Sequence, residues 1–258
     1  MSNDLLTINP AIEKERVITF LRSTFIMQGI PKAVIGISGG IDSATSFALL
    51  NEVLKPKDII VAHLYYFDSN FSEIKKYITK MHIPQKNIHH ISIKKLVDAM
   101  IELQNIEVNE TNQVRIGNIA ARMRMIILYD LAKKYNALVC GTENKSENLL
   151  GYFTRFGDQA SDIEPIEHLY KSQVYQLATY LKLPEAILKQ EPSAELWIGQ
   201  TDEGQFGFTY EEADRVLFLA TERKLSINEI EEQNNPNAKK ILDWHLKNLF
   251  KHQTPYTL

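Results

Sequence analysis

Cysteine is almost missing: a single thiol, Cys140, in 258 residues excludes an internal disulfide and a thiolate zinc cluster, and fits a reducing compartment. An excess of basic charge is also missing. With 29 basic and 32 acidic residues the net charge is −3, so nothing global favours a nucleic-acid backbone or an anionic membrane, and an anionic ligand must be held locally. Uninterrupted apolar runs, such as Met125-Ile126-Ile127-Leu128, are far shorter than the roughly 20 residues that cross a bilayer. The start, Met1-Ser2-Asn3-Asp4, has neither the basic flank nor the apolar stretch of a secretory leader, and a cytoplasmic protein is expected. No repeat, low-complexity tract or Pro/Gly/Ser-rich linker breaks the sequence. The expectation is one domain over residues 1–258, with an apolar share of 44% that excludes disorder and collagen-like structure.

Glycine is sparse, yet nine of its eleven occurrences fall in three windows: Gly36, Gly39 and Gly40; Gly141, Gly151 and Gly157; Gly199, Gly204 and Gly207. Such clusters allow close approach of a ligand to backbone, and three of them suggest three loops meeting at one site. Between them the apolar pattern alternates between helical and strand-like periods, which predicts an α/β fold: an open, mostly parallel sheet with helices on both faces. Helices are predicted at 10–28, about 41–54 and about 113–135, and strands at 32–37, 58–65, 87–93 and 137–140. In such a sheet ligands bind at the carboxyl edge of the strands, and two of the glycine windows begin where a predicted strand ends. After residue 207 helix signals take over. Thr209 with Glu212, and Ser226 with Glu229, have capping-box spacing, and Asn235-Pro236 reads as a further helix start. The C-terminal part is expected to be helical and to cover the sheet.

The segment Gly36-Ile37-Ser38-Gly39-Gly40-Ile41-Asp42-Ser43 follows a strand and opens a helix, which makes it a phosphate cradle. Adjacent glycines let successive N–H groups point inward, Ser38 and Ser43 add hydroxyl donors, and the helix N-terminus adds partial positive charge. No Lys-Ser/Thr follows, so it is not a Walker A loop, and it is not the Gly-x-Gly-x-x-Gly dinucleotide fingerprint. The carboxylate of Asp42 would repel phosphate unless a divalent cation lay between them, which implies Mg²⁺.

Ser-Gly-Gly-Ile-Asp-Ser at 38–43 resembles the pyrophosphate loop of the N-type ATP pyrophosphatases, which cleave ATP to AMP and pyrophosphate while adenylating a substrate. Within that superfamily, the block Gly141-Thr142-Glu143-Asn144-Lys145-Ser146-Glu147 and Gly151-Tyr152-Phe153-Thr154-Arg155-Phe156-Gly157-Asp158 with Asp162 resembles the ammonia-dependent NAD synthetases. So do Ala121-Arg122-Met123-Arg124-Met125, Leu169-Tyr170-Lys171, Pro192-Ser193-Ala194 and Gln200-Thr201-Asp202-Glu203. The resemblance implies an adenine nucleotide alpha hydrolase-like fold and a ligase that amidates deamido-NAD with ammonia, the last step of NAD biosynthesis, in a cytoplasmic homodimer. It implies Mg²⁺ on Asp42 and Glu147, and ATP held by the 36–43 loop, Thr142, Lys171 and Ser193, with Asp42 and Lys171 in catalysis. Arg122, Arg155, Asp162 and Lys251 would hold deamido-NAD.

Two stretches depart from the family pattern. Tyr65-Tyr66-Phe67-Asp68-Ser69-Asn70 stands where relatives carry a Gly/Gln/Asp-rich segment with an arginine, and Phe250-Lys251-His252 stands where relatives have His-Lys. A tRNA-thiolating member of the superfamily would need reactive cysteines and a basic surface, and a catalytically silent nucleotide-binding subunit would lack acids such as Asp42 and Glu147. Cys140 reads as a buried small hydrophobe, not a nucleophile, and the seven histidines show no metal-ligand spacing. Use of glutamine would need a second catalytic domain, so free ammonia is the expected nitrogen source.

Overall fold

The computed structural model describes residues 5–67, 71–193, 197 and 199–257. Asp68, Ser69 and Asn70 of the divergent loop, Ala194 of the 192–194 motif and the N-terminal Met1–Asp4 lie outside the described residues.

Helix α1 (Pro10–Gln28) begins at Asn9, whose side chain accepts from the N–H groups of Ala11 and Ile12, with proline in the first turn. Strand β1 (Ala33–Gly36) runs through the 37–40 turn into α2 (Ile41–Val53). Then come β2 (Ile59–Tyr65), α3 (Phe71–Lys80), β3 (Ile88–Ser92), α4 (Lys94–Leu103), α5 (Gln113–Tyr135) and β4 (Leu138–Cys140). Each predicted strand is present, trimmed by one or two residues.

All pairings are parallel, in the order β3-β2-β1-β4; Ile35 of β1 sits between Val61 of β2 and Cys140 of β4. Both faces are covered, which explains the continuous apolar runs. One face buries Ala33, Ile35, Ile59 and Val61 against Leu21, Phe47 and Ile78 of α1, α2 and α3. The other buries Val34, Ile60 and Ala62 with Val97 of α4 and Ile116 and Ala120 of α5. Because the chain winds outward from β1 to β3 and then returns to place β4 on the other side, the strand order reverses between β1 and β4. A crevice opens at the carboxyl ends of strands at such a reversal.

The rest of the chain is helical: α6 (Lys145–Leu150), α7 (Lys171–Tyr180), α8 (Glu185–Leu188), α9 (Asp202–Phe206), α10 (Tyr210–Thr221), α11 (Ile227–Glu231) and α12 (Ala238–Asn248). The capping boxes at Thr209/Glu212 and Ser226/Glu229 form as the spacing predicts. The helix expected from Asn235-Pro236 starts at Ala238 instead, because Asn235 turns inward and its amide donates to the carbonyls of Ile230 and Gln233. A third cluster, with Leu150, Phe206, Leu217 and Ile241, joins α6, α9, α10 and α12 beside the crevice. Gly151 makes that approach possible: it ends α6 at φ +62, and a Cβ there would lie 2.5 Å from Cβ of Asn248. Among the described residues no helix is long and apolar enough to cross a membrane.

Candidate active site

A cavity of about 950 Å³ fills the crevice, lined by residues from all three glycine windows. Its floor is the 36–43 loop. Gly39 takes φ +112, and a Cβ there would meet Cδ1 of Ile74 at 2.5 Å, so the loop packs on α3 through glycine alone. Ser38 Oγ accepts from the Gly40 N–H at 3.2 Å, and Ser43 Oγ donates to the Gly40 carbonyl at 3.0 Å. Helix α2 opens at Gly40 with no side-chain cap, which leaves its first-turn amides for a bound anion.

Above this loop Lys171, 2% exposed, places its Nζ 2.5 Å from Asp42 Oδ2 and 3.2 Å from Glu147 Oε1. Asn144 donates from Nδ2 to Asp42 Oδ1 at 2.9 Å, and its own Oδ1 accepts from the Glu147 N–H at 3.0 Å, capping α6. The ring of Tyr210 lies 5.0 Å from Lys171 Nζ, and the Tyr210 hydroxyl donates to Asp202 Oδ2 at 3.0 Å. Burial opposes the charge on Lys171, but Asp42 and then Glu147 outweigh it and hold the ammonium above its ordinary range. This matters because Lys171 is the first residue of α7, where the helix dipole disfavours a cation. Burial pushes Glu147 up, partly offset by Lys171.

Two hard carboxylates held by one ammonium, beside a phosphate loop, fit a Mg²⁺ ion. Among the described residues no group of three or more His, Cys, Asp or Glu forms a metal cage; Mg²⁺ commonly needs only one or two carboxylates when substrate phosphates complete its shell.

The structure brings Gly36, Ile37, Ser38, Gly40, Ile41, Asp42, Ser43, Thr142, Glu147, Lys171, Ser193 and Lys251 to the cavity wall. Gly39 faces away, toward Ile74. Lys251 donates to the carbonyls of Gly151 and Phe153 at 2.6 and 2.9 Å, tying the chain after α12 to the second glycine window. Arg122, Arg155 and Asp162 lie outside that wall. Arg122 donates to the Arg155 carbonyl at 3.2 Å, Arg155 stacks on Phe156 and Phe250, and Asp162 accepts from the Val139 N–H at 2.7 Å. Phe250 thus packs on an arginine, and His252 lies edge-on to Phe153.

Several wall residues were not predicted. Arg124, two positions from Arg122 and on another helix face, donates to the Leu64 carbonyl at 3.0 Å. His63 lines the cavity and shares a 3.0 Å Nδ1···Nδ1 hydrogen bond with His90; burial, then His90, lowers its pKa to about 4, so it is a neutral ring. Asn144 was legible as the cap of an Asn-x-x-Glu box. Behind Thr142, burial raises Glu143 to about 10 and Glu164 to about 8. Cys140 is 2% exposed with its thiol pKa raised by burial, an inert environment for sulfur.

The chain is similar to known proteins along nearly its whole length. It is 39% identical over 251 residues to the NH(3)-dependent NAD(+) synthetase of Thermoplasma acidophilum, covering 95% of this chain and 97% of that protein. Among solved structures, the NMN synthetase of Francisella tularensis superposes with a TM-score of 0.82 at 32% identity, covering 98% of this chain and 99% of that one. The NH3-dependent NAD synthetase of Campylobacter jejuni, in complex with the nitrate ion, gives 0.80 at 29% identity, covering 97% and 100%. The NAD synthase family model matches residues 13–255, and with these relatives it shows that the chain belongs to the NAD synthase family.

Proposed function

We propose that the protein is an ammonia-dependent NAD synthetase, which amidates deamido-NAD with ammonia and converts ATP to AMP and pyrophosphate. The observation that carries this reading is the buried Lys171 ammonium, set between Asp42 and Glu147 over an uncapped glycine loop. A carboxylate is a poor acylating agent because its leaving group would be oxide. Its oxygen therefore attacks the α-phosphorus of ATP, pyrophosphate leaves, and an acyl-adenylate forms. Ammonia then attacks the acyl carbon, a proton is lost, and AMP departs with the original carboxylate oxygen. The amides and hydroxyls of residues 38–43 hold the departing pyrophosphate, and Lys171 stabilises the negative charge that grows on it. Mg²⁺, held by Asp42 and Glu147, would supply further charge neutralisation on the phosphates. Thr142 and Ser193 complete the nucleotide site.

Arg122 and Arg155, adjacent and facing outward, suit the anionic groups of the second substrate. Placed outside the cavity wall, they support a homodimer in which a partner subunit closes the dinucleotide site; Lys251 orders the neighbouring tail, and Asp162 ties the loop that follows Arg155 to β4. We place the enzyme in the cytoplasm as one domain. The likeness to the Francisella NMN synthetase supports a second reading, in which the acid is nicotinate mononucleotide and the chemistry is the same.

The test is to supply purified protein with ATP, Mg²⁺ and either acid, using ammonium chloride or L-glutamine as nitrogen donor. NAD formation with ammonium and deamido-NAD, accompanied by AMP, is expected. Preference for the mononucleotide would favour the second reading, and efficient glutamine use by the protein alone would overturn the ammonia assignment.

A further inference from the structure

Asp214 has no part in the chemistry just described, yet it is a fully buried carboxylate, 0% exposed, one helical turn after Tyr210 on α10. Such a group is costly unless its lone pairs are used. Its Oδ1 accepts the Ser146 hydroxyl, and its Oδ2 accepts the Ser172 N–H at 2.8 Å. Ser146 Oγ in turn accepts the Lys171 N–H at 2.8 Å. One carboxylate thereby satisfies the first two amides of α7, one directly and one through a hydroxyl that belongs to α6. Ser146 immediately precedes Glu147. The two helices that deliver the ammonium and one of its carboxylate partners are therefore locked to each other at Asp214, while Tyr210 on the same helix sets its ring against the ammonium. An ordinary cap would satisfy those amides without burying a charge; what this carboxylate adds is a fixed register between Lys171 and Glu147, and a negative charge at the N-terminus of a helix that begins with a lysine.

We infer that Asp214 is a positioning residue for the adenylation step: through Ser146 and Ser172 it holds Lys171 at the angle from which the ammonium meets the charge developing on the departing pyrophosphate. This rests on the ATP-cleaving reading above. Misplacement of a reacting group by about 1 Å costs on the order of 100-fold in rate, and a group acting only in the transition state changes kcat more than KM.

The experiment is a double-mutant cycle with the full-length enzyme: Ser146→Ala, Asp214→Asn, Lys171→Ala and the two doubles that contain Lys171→Ala, each assayed for kcat, KM for ATP and melting temperature. Ser146→Ala and Asp214→Asn should each lower kcat by about tenfold or more, with KM for ATP within about threefold of the parent. In the Lys171→Ala background the same substitutions should change the residual kcat by less than about twofold, while still lowering the melting temperature. Losses of kcat that multiply through in both backgrounds, or a normal kcat in both single variants, would overturn the inference and leave Asp214 a purely structural cap. If Asp214→Asn does not fold, Ser146→Ala, which removes one hydroxyl, decides the matter alone. A parent that turns over no ATP would overturn the functional reading itself, a failure distinct from additive losses in an active enzyme.

Discussion

Replacing Lys171 by methionine keeps the apolar stem and removes only the charge that sits between Asp42 and Glu147. At 2.5 and 3.2 Å the two ion pairs are worth roughly 7 and 5 kcal/mol of gross attraction at an effective dielectric of about 20. Desolvation of three charged groups consumes most of this. Removing one partner of a buried ionic cluster nonetheless costs about 3–5 kcal/mol, because the carboxylates lose their counter-charge. Two consequences separate this account from a merely structural lysine. The variant should lose about 3–4 kcal/mol of transition-state stabilisation, roughly 150- to 1000-fold in kcat. With divalent ions stripped, it should melt well below the parent and recover when Mg²⁺ is added, since a divalent cation replaces the missing charge. Mn²⁺ titration followed by electron paramagnetic resonance, without nucleotide, should show binding at least about tenfold tighter than in the parent, where the ammonium competes for the same oxygens. Unchanged kcat, or equal Mn²⁺ affinity in the two proteins, would refute the reasoning.

Asp42→Asn and Glu147→Gln should each keep the fold, by circular dichroism, and lose on the order of 100-fold or more in ATP-dependent turnover, because each removes one hard ligand from the phosphate site. Gly39→Ala, at φ +112 and with Ile74 in the way, should cost about 1–3 kcal/mol in denaturant unfolding and raise KM for ATP. Glu164 has its pKa raised by burial to about 8, above its unfolded value near 4.5. The folded state therefore binds the proton more tightly, and the stability this contributes is present below pH 4.5 and lost as pH rises through 8. Glu164→Gln should match the parent near pH 4.5 and exceed it in melting temperature at pH 8.5; a variant no more stable than the parent at pH 8.5 would contradict this.

The parallel sheet was legible because strands buried on both faces must be continuously apolar, and Val34-Ile35 and Ile59-Ile60-Val61 are. The phosphate loop was legible because paired glycines at a strand-to-helix turn mark a close backbone turn; of the two, Gly39 at φ +112 carries the requirement, while Gly40 takes an extended φ of −69. Asp42 could be read from its own loop, as a carboxylate beside a phosphate cradle, but Glu147 and Lys171 came from family resemblance, since no local rule says that residues 42, 147 and 171 meet. The structure adds the reason: Asn144 caps α6 and bonds Asp42 at once. Arg124, His63 and Asp214 escaped because each looks ordinary in its own segment. An arginine on a long helix, a histidine in a strand and an acid one turn into α10 acquire meaning only through partners at Leu64, His90 and Ser146. Arg122 and Arg155 illustrate the converse, paired by the fold yet outside the wall that one chain forms.

The proposed reaction joins an oxygen of the substrate carboxylate to the α-phosphorus of ATP, and isotope tracing reads that bond directly. Deamido-NAD labelled with ¹⁸O in its nicotinate carboxylate is incubated with ATP, Mg²⁺ and ammonium chloride, and the products are weighed by mass spectrometry. One ¹⁸O should appear in AMP for each NAD formed, with none in pyrophosphate. Label in inorganic phosphate with ADP as co-product, or NAD formed with unlabelled AMP, would contradict the account.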